Sequence, residues 1–116
     1  MNSVTMLQTS SILLLLTAAG GLLMAFRRIA QNANPPSWLA MAHGFLAASG
    51  LTLLAYAGLT DRVEGGALLG LLLLTVAAVG GVVMNLGYHL AGKLLPLWLL
   101  YLHIALAAAG TLLVAW

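Results

Sequence analysis

The chain has 116 residues, 63% of them apolar and 5% charged, with four basic side chains, two acidic ones and a net charge of +2. A soluble domain of this length carries roughly 25% charged residues, so this composition excludes a water-exposed globular surface. The pI near 9.5 reflects that small net charge and not a basic patch, which excludes nucleic acid as a partner. Cysteine is absent, which excludes disulfides, iron–sulfur clusters and thiol chemistry within the chain.

A bilayer crossing takes about 20 apolar residues, and four such runs use nearly the whole sequence. They are expected at about 5–27, 37–59, 66–89 and 95–116. The stretch before the first run, Met1 to Ser11, has no basic residue. A cleaved signal peptide carries a positive segment there, so residues 12–26 read as part of a retained span. Arg27 and Arg28 close the first span. Asn34-Pro35-Pro36-Ser37 makes a stiff turn into the second, since proline is well accommodated at a helix start. Pro96 plays the same part for the fourth span. Trp38 and Trp98 follow directly, at the level where indole rings prefer the membrane interface, and Tyr56 and Trp116 mark the opposite interface. The short connections predict an all-α, antiparallel four-helix transmembrane bundle forming one membrane domain over 1–116.

Only Lys and Arg count toward orientation. Arg27, Arg28 and Lys93 flank the first and third connections, whereas the second, around Asp61, Arg62 and Glu64, has one basic residue. The asymmetry predicts cytoplasmic first and third connections and extracytoplasmic termini, in a bacterial inner membrane.

The sequence repeats at an offset of 60. Residues 36–55 read PSWLAMAHGFLAASGLTLLA and residues 96–115 read PLWLLYLHIALAAAGTLLVA, with ten of 20 positions identical. Leu and Ala matches come cheaply in such a chain. Pro36/Pro96, Trp38/Trp98, His43/His103 and Gly50/Gly110 do not, because the whole chain has three Pro and three His. Gly20-Gly21 and Met24 align with Gly80-Gly81 and Met84 at the same offset. The repeating unit is a two-helix hairpin, residues 8–56 and 68–116. With an even number of spans per unit, the two copies are parallel and related by a pseudo-two-fold axis along the membrane normal.

No Asp, Glu, Lys or Arg falls in the middle of a span, which argues against a proton-coupled exporter with a buried carboxylate. The ionisable groups at membrane depth are histidines, and such groups are functional by default. His43 and His103 each lie five residues past the interfacial Trp, roughly 7–8 Å along the helix. The pseudo-symmetry places them at one depth on opposite sides of the axis. Ala47 and Gly50 share a helix face with His43, and Ala107 and Gly110 share one with His103. Gly20, Gly21, Gly80 and Gly81 fall roughly 9–12 Å from the cytoplasmic helix ends, in the same layer. A flat macrocycle with two axial imidazoles needs these features: two facing rings with small residues around them. Close helix packing alone accounts for the glycines equally well. His89 has Ile29 as its counterpart and reads as an interfacial or propionate-contacting residue. Met24 and Met84 read as fillers of apolar gaps.

Trp38…His43…Gly50 with Trp98…His103…Gly110 resembles the four-helix membrane cytochromes of the b type. The resemblance covers the bundle and the two histidine helices. It implies one heme b per chain, held by His43 and His103 between spans two and four, with glycines admitting the helices to its faces. It also implies that Arg27, Arg28 and Lys93 neutralise the propionates. Ligation by two imidazoles closes both axial positions and favours electron transfer over oxygen binding. The chain is then an electron carrier or a subunit, not a stand-alone enzyme. Its expected partners are membrane lipid, a quinone, a larger redox complex or a second copy of the chain. The competing reading is a cofactor-free structural or accessory subunit, which explains the small residues but not why both repeats place His at one position.

Overall fold

The computed structural model describes residues 2–61 and 65–115. Arg62 and Glu64 of the second connection, and Trp116, lie outside the described residues. Four α-helices account for most of the remainder: α1 (Ser3–Ala30), α2 (Ser37–Thr60), α3 (Ala67–Met84) and α4 (Leu97–Ala115). No strand occurs among the described residues.

Each helix is apolar all round, as expected of helices whose surroundings are also apolar. All four, with α3 counted through His89, are long and apolar enough to cross a membrane. The longest dimension, 43 Å, exceeds the roughly 30 Å hydrocarbon thickness of a bilayer. Outward-facing Leu22, Leu23, Phe26, Phe45 and Val79 are each about 60% exposed or more, on three different helices. In water such a surface would aggregate; against lipid it is matched.

Local chemistry sets the helix ends. The Asn2 side chain accepts a hydrogen bond from the Thr5 amide at 2.8 Å and caps α1. At its other end α1 runs three residues beyond the expected boundary, carrying Arg27 and Arg28 on its last turn, where cations favour the helix dipole. Asn32, with φ of 48°, then turns the chain into Pro35-Pro36. α2 and α4 start directly after prolines, as anticipated. α3 does not end as a plain α-helix. Its last turn, Asn85–His89, widens into a π-helix, with the Leu90 amide bonded to the Asn85 carbonyl at 2.9 Å. The equivalent stretch of α1, 60 residues earlier, remains α-helical.

The helices close a ring of contacts. α1 packs extensively on α2 and α3 on α4, and the two pairs meet more sparingly through α1 with α4 and α2 with α3. The histidine helices α2 and α4 therefore stand diagonally across from one another. Buried Leu14, Leu54, Leu74 and Val114, one from each helix, form a core on one side of the histidine level. Met84, Leu95, Leu99 and Leu100 form a second, between the end of α3 and the start of α4.

The end carrying the first and third connections is tied together by polar contacts. Arg28, 8% exposed, donates from Nε to the Leu95 carbonyl at 2.7 Å and from Nη1 to Asn32 Oδ1 at 3.1 Å. The Asn34 amide donates to the Lys93 carbonyl at 2.7 Å, and its Oδ1 accepts from the Leu95 amide at 3.0 Å. Arg27 Nε donates to the Asn34 carbonyl at 2.9 Å. A buried polar group without such a partner costs several kcal/mol in apolar surroundings, so the bonds of Arg28 and of the Leu95 amide fix how the end of α1 and the third connection sit against each other.

Candidate functional site: a paired-imidazole cavity

His43 projects from α2 toward α1, where its Nδ1 lies 2.9 Å from the Thr17 carbonyl oxygen. His103 projects from α4 toward α3, with Nδ1 2.7 Å from the Ala77 carbonyl oxygen. A carbonyl only accepts, so Nδ1 carries the proton in both rings and Nε2 keeps its lone pair. Across a five-membered ring the two nitrogen axes diverge, so each Nε2 points away from the carbonyl that holds its neighbour. Backbone anchoring of one ring nitrogen is how proteins orient an imidazole whose other nitrogen binds a metal.

Gly21 and Gly81 make these bonds possible. In an α-helix the carbonyl of residue i faces the amide of residue i+4, so Gly21 lies over the Thr17 carbonyl and Gly81 over that of Ala77. A β-carbon on Gly21 would sit 3.0 Å from His43 Cε1, and one on Gly81 3.3 Å from His103 Cε1. The missing side chain is the slot through which each ring reaches the neighbouring backbone. Gly80 lies at the margin of that slot, where a β-carbon would sit 3.9 Å from His103 Nδ1, and a β-carbon on Gly20 meets nothing within 4 Å.

The two rings meet at a centroid distance of 6.3 Å with 62° between their planes. A cavity of about 70 Å³ lies beside them. Its twelve lining residues pair off at an offset of 60: Leu14 with Leu74, Ala18 with Ala78, His43 with His103 and Ala47 with Ala107. Two pairs differ in chemistry, Thr17 with Ala77 and Leu51 with Thr111. Ala47 and Ala107 thus stand beside the imidazoles. Gly50 and Gly110 do not line the cavity. A β-carbon on Gly50 would meet Leu14 Cγ at 3.1 Å, and one on Gly110 would meet Leu74 Cγ at 2.7 Å. Their missing side chains serve the α1–α2 and α3–α4 contacts.

Arg27 and Lys93 are exposed and Arg28 is buried, with the partners given above. His89 is half-buried in the π-turn, away from the paired rings. Two polar contributions escape the sequence reading. The Thr17 and Ala77 carbonyls carry no side-chain signal. Ser10, fully buried, donates to the Gly50 carbonyl at 2.9 Å and joins α1 to α2.

Two imidazoles bound opposite each other on one metal, at about 2 Å each, bring their ring centres to roughly 6 Å. The observed ring spacing of 6.3 Å is of that order. No group of three or more His, Cys, Asp or Glu side chains converges among the described residues. The two nitrogens would need a macrocycle to complete an octahedral iron, and protein zinc sites normally take three or four ligands. The cavity, about 70 Å³, is smaller than the several hundred Å³ typical of cofactor pockets, so a porphyrin does not fit it without rearrangement of the lining side chains. Comparison with protein-family models, with curated proteins and with solved structures finds no match to this chain.

Proposed function

We propose that the chain is a membrane electron carrier, or the electron-carrying subunit of a larger complex, that binds one heme b between His43 and His103. The observation that carries this reading is the pair of Nδ1-anchored imidazoles with centroids 6.3 Å apart. In this reading the bundle is antiparallel and built from two parallel repeats, residues 8–56 and 68–116. Their pseudo-two-fold axis runs along the membrane normal between the rings. The matched cavity lining at an offset of 60 supports that arrangement.

A heme held by His43 and His103 would supply one-electron transfer. The chain's own residues do the rest. The Thr17 and Ala77 carbonyls hold the imidazoles in the ligating tautomer and raise their basicity. Gly21 and Gly81 admit the rings to those carbonyls. Ala47 and Ala107 leave room beside the rings, and the sparse contact between helix pairs is where a flat macrocycle would enter. Buried Arg28 would supply positive charge to the propionates, with the first and third connections cytoplasmic. Partners of matching chemistry are a quinone or a larger redox complex in a bacterial inner membrane.

The test is the visible spectrum of protein purified in detergent from heme-replete cells. A Soret band, sharpening on reduction into a low-spin bis-histidine spectrum with one heme per chain, is the expected result. Protein without a Soret band that takes up no added hemin would overturn the reading. The second reading, a cofactor-free structural subunit, draws on the small cavity and would then stand.

A further inference from the structure

Positive charge gathers at one end of the molecule. The chain has two acidic side chains, Asp61 and Glu64, both in the second connection. Asp61 follows the last residue of α2, whereas Asn34, the partner of Arg27, precedes the first. The 24 residues of α2 span about 36 Å, several times the roughly 8 Å screening length at physiological salt. Among the described residues, Arg27, Arg28 and Lys93 therefore have no side-chain carboxylate in range.

Contacts through the backbone bring the segments that carry the three cations together. Arg27 Nε donates to the Asn34 carbonyl, and the Asn34 side chain donates to the Lys93 carbonyl at 2.7 Å. Asn34 thus draws the end of α1 and the third connection to one place. Arg28 turns inward, and its bonds go to neutral acceptors, the Leu95 carbonyl and Asn32 Oδ1. Arg27 and Lys93 stay on the outside. Arg27 Nη1 has one long contact, 3.5 Å to Gln31 Oε1, which leaves most of the guanidinium fork free. Trp38 and Trp98, 71% and 66% exposed, begin the adjoining helices and face outward at the same end. That is the level of lipid headgroups.

We infer that Arg27 and Lys93, flanking Asn34, bind the phosphate of an anionic phospholipid headgroup. A guanidinium and an ammonium exposed at one end of the bundle suit a phosphate oxyanion, and an anionic leaflet attracts each basic group near its surface. The inward Arg28 adds positive potential from behind without leaving its backbone partner. The occupant is a lipid, not a free anion, because the site lies beside two outward indoles and helices with apolar outer faces. The inference is independent of heme binding.

The test is lipid retention by the full chain in detergent, read by native mass spectrometry after incubation with phosphatidylglycerol, phosphatidylcholine or inorganic phosphate. Preferential retention of one phosphatidylglycerol, with a rise in melting temperature, is expected. Arg27→Gln with Lys93→Gln should weaken retention by roughly tenfold or more, the order expected for two cations lost near an anionic surface. Arg27→Lys should keep most of it, and Arg62→Gln, at the other connection, all of it. Both Gln changes are at exposed positions, so folding should persist, and an unchanged melting temperature in lipid-free detergent checks this. Equal retention of the two lipids, or an unchanged double variant, would overturn the inference. Stabilisation by inorganic phosphate equal to that by the lipid would reduce the site to an anion site.

Discussion

The α1–α2 pair and the α3–α4 pair perform one operation with different neighbours. In each, an imidazole crosses a glycine to reach a backbone carbonyl 26 residues earlier in the chain. Around that shared unit the pairs diverge. Where α1 meets α2, the Ser10 hydroxyl bonds to the Gly50 carbonyl. At the equivalent crossing of α3 and α4, a β-carbon on Gly70 would come within 2.8 Å of the Gly110 carbonyl oxygen, so backbone touches backbone. α1 ends in an α-helical turn with Arg28 buried, and α3 in a π-turn with Tyr88 at that position. The difference teaches where the constraint lies. Helix contact has more than one solution, a hydroxyl or a bare backbone. Carrying the imidazole to the carbonyl has one, the glycine beneath the ring.

The largest expected effect comes from breaking the shared unit. His43→Ala or His103→Ala should each abolish the low-spin bis-histidine spectrum, and the two losses should be equal if the pairs contribute alike. His89→Ala, in the π-turn, should leave the ligation state intact. Visible spectra of the three variants check this, and an effect confined to one of the paired histidines would break the comparison.

Next come the helix crossings. Gly70→Ala drives a β-carbon against backbone, which cannot turn aside as a side chain can, and overpacking of this kind typically costs about 1–3 kcal/mol. Gly50→Ala meets the Leu14 side chain at 3.1 Å, which can yield by a few tenths of an ångström. Gly70→Ala should therefore lower the melting temperature in detergent more than Gly50→Ala. The reverse order would show that the second pair is not held by backbone contact.

Smaller still are the slot glycines as alanines. Gly21→Ala presses on His43 at 3.0 Å, Gly81→Ala on His103 at 3.3 Å, and Gly20→Ala on nothing. Loss of hemin affinity in a titration should follow that order, with Gly20→Ala indistinguishable from the native protein. The least effect is that of Ser10→Ala, which removes one interhelical hydrogen bond. Such bonds contribute about 0.6 kcal/mol on average within membranes, so a shift of a few degrees at most in melting temperature is expected.

The four helices were legible because hydropathy and length suffice for a bilayer-spanning segment. The prolines and α2 begin where expected, and the expected 66–89 segment covers α3 and the π-turn. The π-turn itself was not legible, because Asn85, Leu86 and Gly87 carry no pattern that distinguishes it from an α-turn. His43 and His103 were singled out by repeat position and depth, and the structure brings their rings to a centroid distance of 6.3 Å. Their anchoring was not, because the acceptors are carbonyls, and Thr17 and Ala77 share no side-chain type. The glycine pairs were read as room for a macrocycle, whereas Gly21 and Gly81 lie against the imidazoles themselves, and Gly50 and Gly110 against leucines. Periodicity places a small residue on a helix face but does not say which neighbour uses the space. Asn34 read as part of a stiff turn, and its bonds to Lys93 and Leu95 depend on a contact 59 and 61 residues away.

The most direct test of the central claim, that His43 and His103 act together on one iron, is electron paramagnetic resonance of the oxidised protein after titration with hemin. A single low-spin ferric signal is expected that saturates at one heme per chain and is replaced by a high-spin signal in His43→Ala and in His103→Ala alike. A high-spin signal in the native protein, or a low-spin signal that survives either substitution, would contradict it.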